Sequence, residues 1–570
     1  MRLRLAPLRL APLSLAPWVL MSVLVLPLAA GLLMVILPAF GYLPALGGET
    51  FNVDAWQALW QRPGLHRSIL LSYASGLITT LVALSIVVLF LAASQGTWVD
   101  RSIRRLVSPL LAIPHAAVAF GLAFLIAPSG LLVRWISPGL TGWERPPDVL
   151  IVNDPLGLAL MAGLVLKEVP FLLLMCLAAL PQLGAEKRVT LARSLGYSAS
   201  IAWLKSVLPV LYPLIRLPVY AVIAYATSVV DMAMILGPTL PPTLSVSILS
   251  WFNDPDLERR YMASAGAVLQ LGVTLAALLT WWLGEQCVKR FSQGWLVNGA
   301  RNTGALAVAI SGRVLLATTT LLAISAIGGL VIFSLAGFWR FPDALPSTFT
   351  LDHWQRILPS VATPLLNTLS VGLAATLMAA VLVVATLENA VRHHLPVSRS
   401  QWLLYLPLIV PQVAFLFGLV VAAESINVRP QLALVIAAHL LFVAPYLYLS
   451  LSEAYRRLDP RWVQVAHSLG VGPWRAFWRV RLPLLLAPLL TACAVSLAVS
   501  IGQYLPTLLL GGGRVPTITT EAVAMASGGN RRLIAVLALI QALLPFIGFS
   551  LALLIPRLVW AKRRQMRGAA

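Results

Sequence analysis

The chain has 570 residues, 59% of them hydrophobic and only 11% charged, with a mean hydropathy of +0.87. Soluble globular proteins carry roughly a quarter charged residues, so composition excludes that class. Yet 41 basic residues against 20 acidic ones give a formal charge of +21. In a soluble chain that excess would point to nucleic acid; in one this apolar it needs another explanation. The three cysteines (Cys176, Cys287, Cys493) form no C-x-x-C pair, and of the seven histidines only His393 and His394 are adjacent, in a basic loop. No disulfide framework, metal site or cofactor is expected.

In chain order, apolar runs of about 20 residues, the length that crosses a bilayer, fall at 17–41, 68–93, 107–127, 156–180, 208–236, 263–284, 314–338, 364–387, 403–423, 432–452, 484–510 and 533–556. The pattern predicts an all-α polytopic membrane protein of about twelve transmembrane helices embedded in a lipid bilayer. Arg2, Arg4 and Arg9 precede the first run, but the run is too long for the apolar core of a signal peptide and lacks a clean small-residue cleavage site. It is expected to be a retained helix.

Twelve spans place both termini on one side. Basic residues accumulate in cytoplasmic loops. One alternating set of segments, which includes Arg101, Arg104, Arg105, Arg399 and Lys562–Arg567, holds 27 basic residues and the opposite set 12, with Lys167 and Arg216 inside spans. The richer set is assigned to the cytoplasm. The charge excess then becomes a topology signal, and no nucleic-acid partner is expected.

The chain also repeats itself. Ala192-Arg193-Ser194-Leu195-Gly196 with Leu208-Pro209 matches Ala466-His467-Ser468-Leu469-Gly470 with Leu482-Pro483 at an offset of 274 residues. Pro114 and Gly121 match Pro411 and Gly418 at an offset of 297, the first half carrying extra residues in the loop 131–155. Residues 1–285 and 286–570 are therefore expected to be two six-span repeats. Six is an even number, so the halves run in the same direction, unlike inverted-repeat transporters.

The matched segments fall in loops at about 181–207 and 453–483. Trp462, Val465, Ala466 and Leu469 follow the i, i+3, i+4, i+7 spacing of one helix face; Leu191, Ala192 and Leu195 keep that face in the first copy, with Arg188 where Trp462 stands. Gly196 and Gly470 follow at the place where a helix ends in a left-handed residue, and Pro473 suits a helical first turn. Each loop is predicted to be a short amphipathic helix, a glycine turn and a second helix entering the membrane. A helix pair lying on lipid head groups accounts for one such loop. Two copies in the same register point to a partner with two equivalent sites.

These residues resemble the EAA loop of binding-protein-dependent ABC transporter permeases, in which three residues separate the EAA triplet from a glycine and eleven more precede Leu-Pro. Thr190-Leu191-Ala192, Gly196 and Leu208-Pro209 fit that spacing, as do Gln464-Val465-Ala466, Gly470 and Leu482-Pro483; the family's Glu is replaced by Thr190 and Gln464. The layout is similar to fused double permeases, closest to those for ferric iron and thiamine. The resemblance implies that Thr190, Ala192, Ser194, Gly196, Leu208 and Pro209, with Gln464, Ala466, Ser468, Gly470, Leu482 and Pro483, couple the membrane domain to two copies of a cytoplasmic ABC ATPase, while a periplasmic binding protein delivers the solute. No G-x-x-x-x-G-K-[ST] phosphate loop occurs, and the Gly511–Gly513 and Ser527–Gly529 stretches lack its lysine. ATP hydrolysis is expected on a separate subunit, and this chain is not expected to be an enzyme.

Charges inside spans are functional candidates by default. Lys167, Glu168 and Asp231, with Gln503 and Tyr504 in the region corresponding to Asp231, either line a translocation path or pair internally. Arg216 is expected to pair. Pro114 and Pro411 mark expected kinks. The alternative function is an ion-coupled secondary transporter using Glu168 or Asp231, which gives no reason for two matched loops.

Overall fold

In a computed structural model of the protein, residues 12–94, 113–395, 403–526 and 528–560 are described. The amino-terminal arginines, Arg101–Arg105, residues 107–112 of the third predicted span, Arg399, Ser527 and the tail beyond 560 lie outside them. Among the described residues there is no β-strand, only two isolated bridges. Among these residues ten helices are long and apolar enough to cross a membrane, or twelve if each of two bent pairs counts as one span.

In the first half the main helices are α1 (Pro12–Ala39), α2 (Leu65–Ala93), α3 (His115–Ile126), α4 (Leu158–Ala179), the loop helices α5 (Ala185–Ser194) and α6 (Ala199–Ser206), α7 (Leu208–Ser228), α8 (Asp231–Leu236), α9 (Leu244–Phe252) and α10 (Arg259–Val297). In the second half they are α11 (Ala305–Leu335), α12 (Asp352–Arg392), α13 (Gln412–Ser425), α14 (Leu432–Arg457), the loop helix α15 (Arg461–Ser468), α16 (Leu486–Gly502), α17 (Leu505–Gly511), α18 (Ile518–Ala526) and α19 (Arg531–Val559).

The predicted fifth and eleventh spans are interrupted. α7 stops at Ser228 and the chain restarts as α8 after Val229-Val230; α16 stops at Gly502 and restarts as α17 after Gln503-Tyr504. The apolar run continues through both breaks, so hydropathy alone joins the pieces. The ninth span also departs from a single helix: Leu403–Ile409 meets α13 at a bend of 100°. Pro411 lies at that bend and Pro114 heads α3, each at the N-cap of its helix. Proline tolerates a helix start but not a helix interior, so the bend expected at Pro411 falls where one helix ends and the next begins.

Glycines explain how the halves interlock. α1 packs on α10 of its own half and then on α12 and α13 of the other; α11 packs on α19 and then on α2 and α3. The first helix of each half thus crosses onto the second and third spans of its neighbour. Helices in lipid approach closely where small residues face each other. A Cβ on Gly418 would overlap the Gly31 carbonyl oxygen, and one on Gly121 would stand 2.8 Å from the Ala326 carbonyl oxygen. Gly121 and Gly418, matched in the sequence repeat, each receive the visiting helix.

At the end opposite the loop helices, the extra residues of the first half tie the halves together. Arg134 is buried and donates to the carbonyls of Arg340 and Asp343 at 2.9 and 3.1 Å, with its guanidinium 4.4 Å from the Trp339 ring.

Candidate functional site

The two loops take the same local form. Helix α5 ends with Gly196 at φ +86°, and α15 with Gly470 at φ +79°. The amide of Tyr197 returns to Ala192 O at 3.3 Å and that of Val471 to Ala466 O at 3.0 Å, the capping bond that a left-handed glycine permits. Ser194 Oγ donates to Leu191 O at 2.7 Å and Ser468 Oγ to Val465 O at 2.8 Å. Thr190 Oγ1 turns back to Glu186 O at 2.9 Å, while Gln464 is exposed. Leu208-Pro209 then opens α7, where a missing N–H costs nothing, whereas Leu482-Pro483 ends the segment Pro473–Leu484, which meets α16 at a bend of 72°.

The apolar face divides in two. Ala466 is buried and Ala192 half-buried, whereas Trp462, Val465 and Leu469 are exposed, Leu469 at 77%; Leu191, at 68%, and Leu195 match them. The alanines, with Val189 in the first copy, seat the helices, and Leu191, Leu195, Trp462, Val465 and Leu469 project outward.

The loops are braced differently. α10, at 39 residues, is about 58 Å long, well beyond a hydrocarbon core of about 30 Å. Its end carries Asn298 and Arg301 to the first loop: Lys205 Nζ donates to Asn298 O and Oδ1, both at 2.8 Å, and the Ser198 amide reaches Arg301 O at 3.3 Å. In the second half the brace is Glu388, 3% exposed, at the end of α12. Its carboxylate accepts from Arg392 Nε at 2.6 Å, Arg481 Nη1 at 2.6 Å and the Tyr455 hydroxyl.

Deeper in, the charged groups of the spans gather where the halves meet. Lys167 Nζ donates to Ile113 O at 2.5 Å, and Glu168 Oε1 lies 3.9 Å from His115 Nε2. The His115 ring is 4.8 Å from Tyr225, which lies beside Asp231 at the head of α8. Tyr446 and Tyr504 of the second half approach Glu168 and Asp231 from the other side. The Tyr504 hydroxyl reaches Met234 Sδ at 3.6 Å, and Gln412 donates to Gln503 at 3.4 Å. Arg216 is not in this group: it pairs with Glu285 of α10 at 2.8 Å. On the loop side of the cluster, Phe171, Pro218 and Ala221 face Tyr405, Leu408 and Tyr446 across a small apolar cavity.

Residues 397–560 match the family model described as binding-protein-dependent transport system inner membrane component. The inner membrane ABC transporter permease protein YnjC of Escherichia coli K12 is 32% identical over 559 residues, covering 96% of this chain and 98% of its own. The chain belongs to the binding-protein-dependent ABC transporter permeases. Shorter stretches are similar to PhnV of Salmonella typhimurium LT2, provisionally named for 2-aminoethylphosphonate transport (31% identical, 35% of this chain and 76% of that one), and to the molybdenum transport system permease ModB of Mycobacterium tuberculosis H37Rv (32%, 27% and 64%). The permease is thus a multi-pass inner-membrane protein and the transport subunit of an importer, not an ion-coupled carrier.

Several residues of the permease's site left no mark in the sequence. Glu388 reads as an isolated acid after an apolar run, and Asn298 as part of a linker. His115, Tyr225 and Tyr446 reach Lys167, Glu168 and Asp231 only through the tertiary fold. The recurrence of Tyr220 and Tyr212 at helical spacing around Arg216 was the one local signal available, and both bond the Arg216–Glu285 pair.

Proposed function

We propose that this permease docks two copies of a cytoplasmic ATPase through its two loop helices and passes its solute along the seam between the halves. In this reading residues 1–285 and 286–570 are two permease repeats, and both termini face the cytoplasm with the loops. Thr190, Ala192, Ser194 and Gly196, with Gln464, Ala466, Ser468 and Gly470, shape the docking helices. Leu208-Pro209 and Leu482-Pro483 pass their displacement into the membrane. Hydrolysis takes place on the partner, and this chain catalyses no reaction. A periplasmic solute-binding protein loads the opposite end, and Lys167, Glu168, Asp231, Gln503 and Tyr504 line the route.

The observation that carries this reading is the pair of outward apolar faces. Leu191 and Leu195, and Trp462, Val465 and Leu469, stand exposed on helices closed by matching glycine turns. An exposed apolar cluster of this kind, once a partner covers it, supplies the central contact of a protein interface.

The test is co-purification of the full chain with its cognate ATPase, followed by ATP hydrolysis in proteoliposomes. Gly470→Asp puts a charged side chain at a left-handed position facing the partner, and is expected to release the ATPase from that loop and abolish coupled hydrolysis. Undiminished coupling in both Gly196→Asp and Gly470→Asp would overturn the docking assignment.

A further inference from the structure

A helix interrupted inside a membrane leaves carbonyls that neither the helix nor water can satisfy, so neighbouring side chains must supply the donors. In the first half, Ser75 of α2 donates to Ala226 O at 2.9 Å, and Gln270 of α10 donates to Thr227 O at 3.0 Å while accepting from Ser245 of α9 at 3.3 Å. In the second half, Thr519 of α18 donates to Ile501 O at 2.5 Å and is itself held by Gln541 of α19 at 2.7 Å. Ser245 and Thr519 stand at the offset of 274 residues that relates the loops, as do Thr227 and Ile501. Both glutamines are fully buried.

The second half has one more element. His439 of α14, 2% exposed, sits across the interruption, with Nδ1 2.7 Å from Ser500 Oγ before the break and Nε2 2.8 Å from Thr507 Oγ1 after it. Thr507 gives its single hydroxyl proton to Gln503 O at 3.1 Å. It therefore accepts from the imidazole, which carries its proton on Nε2 and receives the Ser500 hydroxyl at Nδ1. Every polar atom of the bridge is used. The residue at the matching offset in the first half is Val165, so the bridge exists on one side only.

We propose that His439 is a positioning residue for transport: it fastens the two segments of the interrupted eleventh span to α14 and fixes the direction in which Gln503 and Tyr504 meet the seam. The inference rests on the reading of the seam as the solute route. Because α14 also carries Tyr446 and leads into the second docking helix, displacement of that loop moves the interruption as a block. The first interruption, held through its carbonyls and the Thr227–Thr274 hydroxyl pair at 2.9 Å, has no such histidine.

The test uses the full chain with its cognate ATPase in lipid nanodiscs and follows amide hydrogen exchange over 503–511 by mass spectrometry. His439→Phe keeps the ring volume and removes both bonds, and Thr507→Val removes one. Each is expected to accelerate exchange there about tenfold, the effect of unpairing one buried hydrogen bond, and to leave 229–236 at the parental rate. Thr507→Ser, which restores the hydroxyl, is expected to restore protection. ATP hydrolysis by the complex should fall in the first two variants and recover in Thr507→Ser, with equal ATPase co-purifying throughout.

Parental exchange in both His439→Phe and Thr507→Val would overturn the bridge, and altered exchange with parental hydrolysis would reduce it to packing. If His439→Phe fails to fold, the Thr507 pair decides. The route reading fails by a separate result: parental hydrolysis in Asp231→Asn and Tyr504→Ala while the bridge effect persists.

Discussion

Glu388 concentrates the problem of a buried charge. A carboxylate removed from water is tolerated only when its partners are complete, and removing one side of such a set costs more than the set contributes. Three donors from three segments meet it. Glu388→Gln leaves the Arg481 guanidinium, itself buried, without a counter-charge, so a loss of about 3 kcal/mol is expected. A lowered melting temperature of the purified chain would report it, with coupling through the second loop lost before the first. Gly418 poses the opposite problem, too little room. Gly418→Val forces α13 off the Gly31 backbone and is expected to cost about 1–3 kcal/mol by overpacking. Gly272→Ala, where an added Cβ meets nothing within 4 Å, should melt like the parent.

Among the elements, the loop helices α5 and α15 were legible in sequence because their determinants are local. A glycine that must adopt positive φ, an alanine that must seat and a proline that must start a helix all act within one or two turns. Their bracing was not legible, since Lys205 finds Asn298 only across 93 residues and Arg481 finds Glu388 across another 93. The interruptions of the fifth and eleventh spans escaped for a related reason: no glycine or proline marks Val229-Val230, and the donors that make that break affordable come from α2 and α10. The two loop helices also differ in the side chains they present. Trp462 has Arg188 as its counterpart, so Trp462→Ala is expected to weaken ATPase binding about tenfold or more, as for an aromatic anchor, and Arg188→Ala to change it little. Titration of the ATPase against each variant would distinguish them. Equal effects would mean that the partner's two grooves read only the shared leucines.

For the molecule as a whole, both loop helices proposed to dock lie on one chain, so one permease should bind two ATPase subunits. Mass measurement of the purified complex should return one copy of this chain with two of its partner, and two permease chains per complex would contradict the arrangement. The crossing of α1 and α11 also has a consequence for biogenesis. α1 leaves the ribosome long before α13, and about 370 residues must be added before its seat against Gly418 exists, roughly 20–75 s at ordinary rates of synthesis. Through that interval α1 has only lipid or α10 to rest on. The chain cannot mature one half at a time: its earliest helix takes its final place only after the ninth span has been inserted.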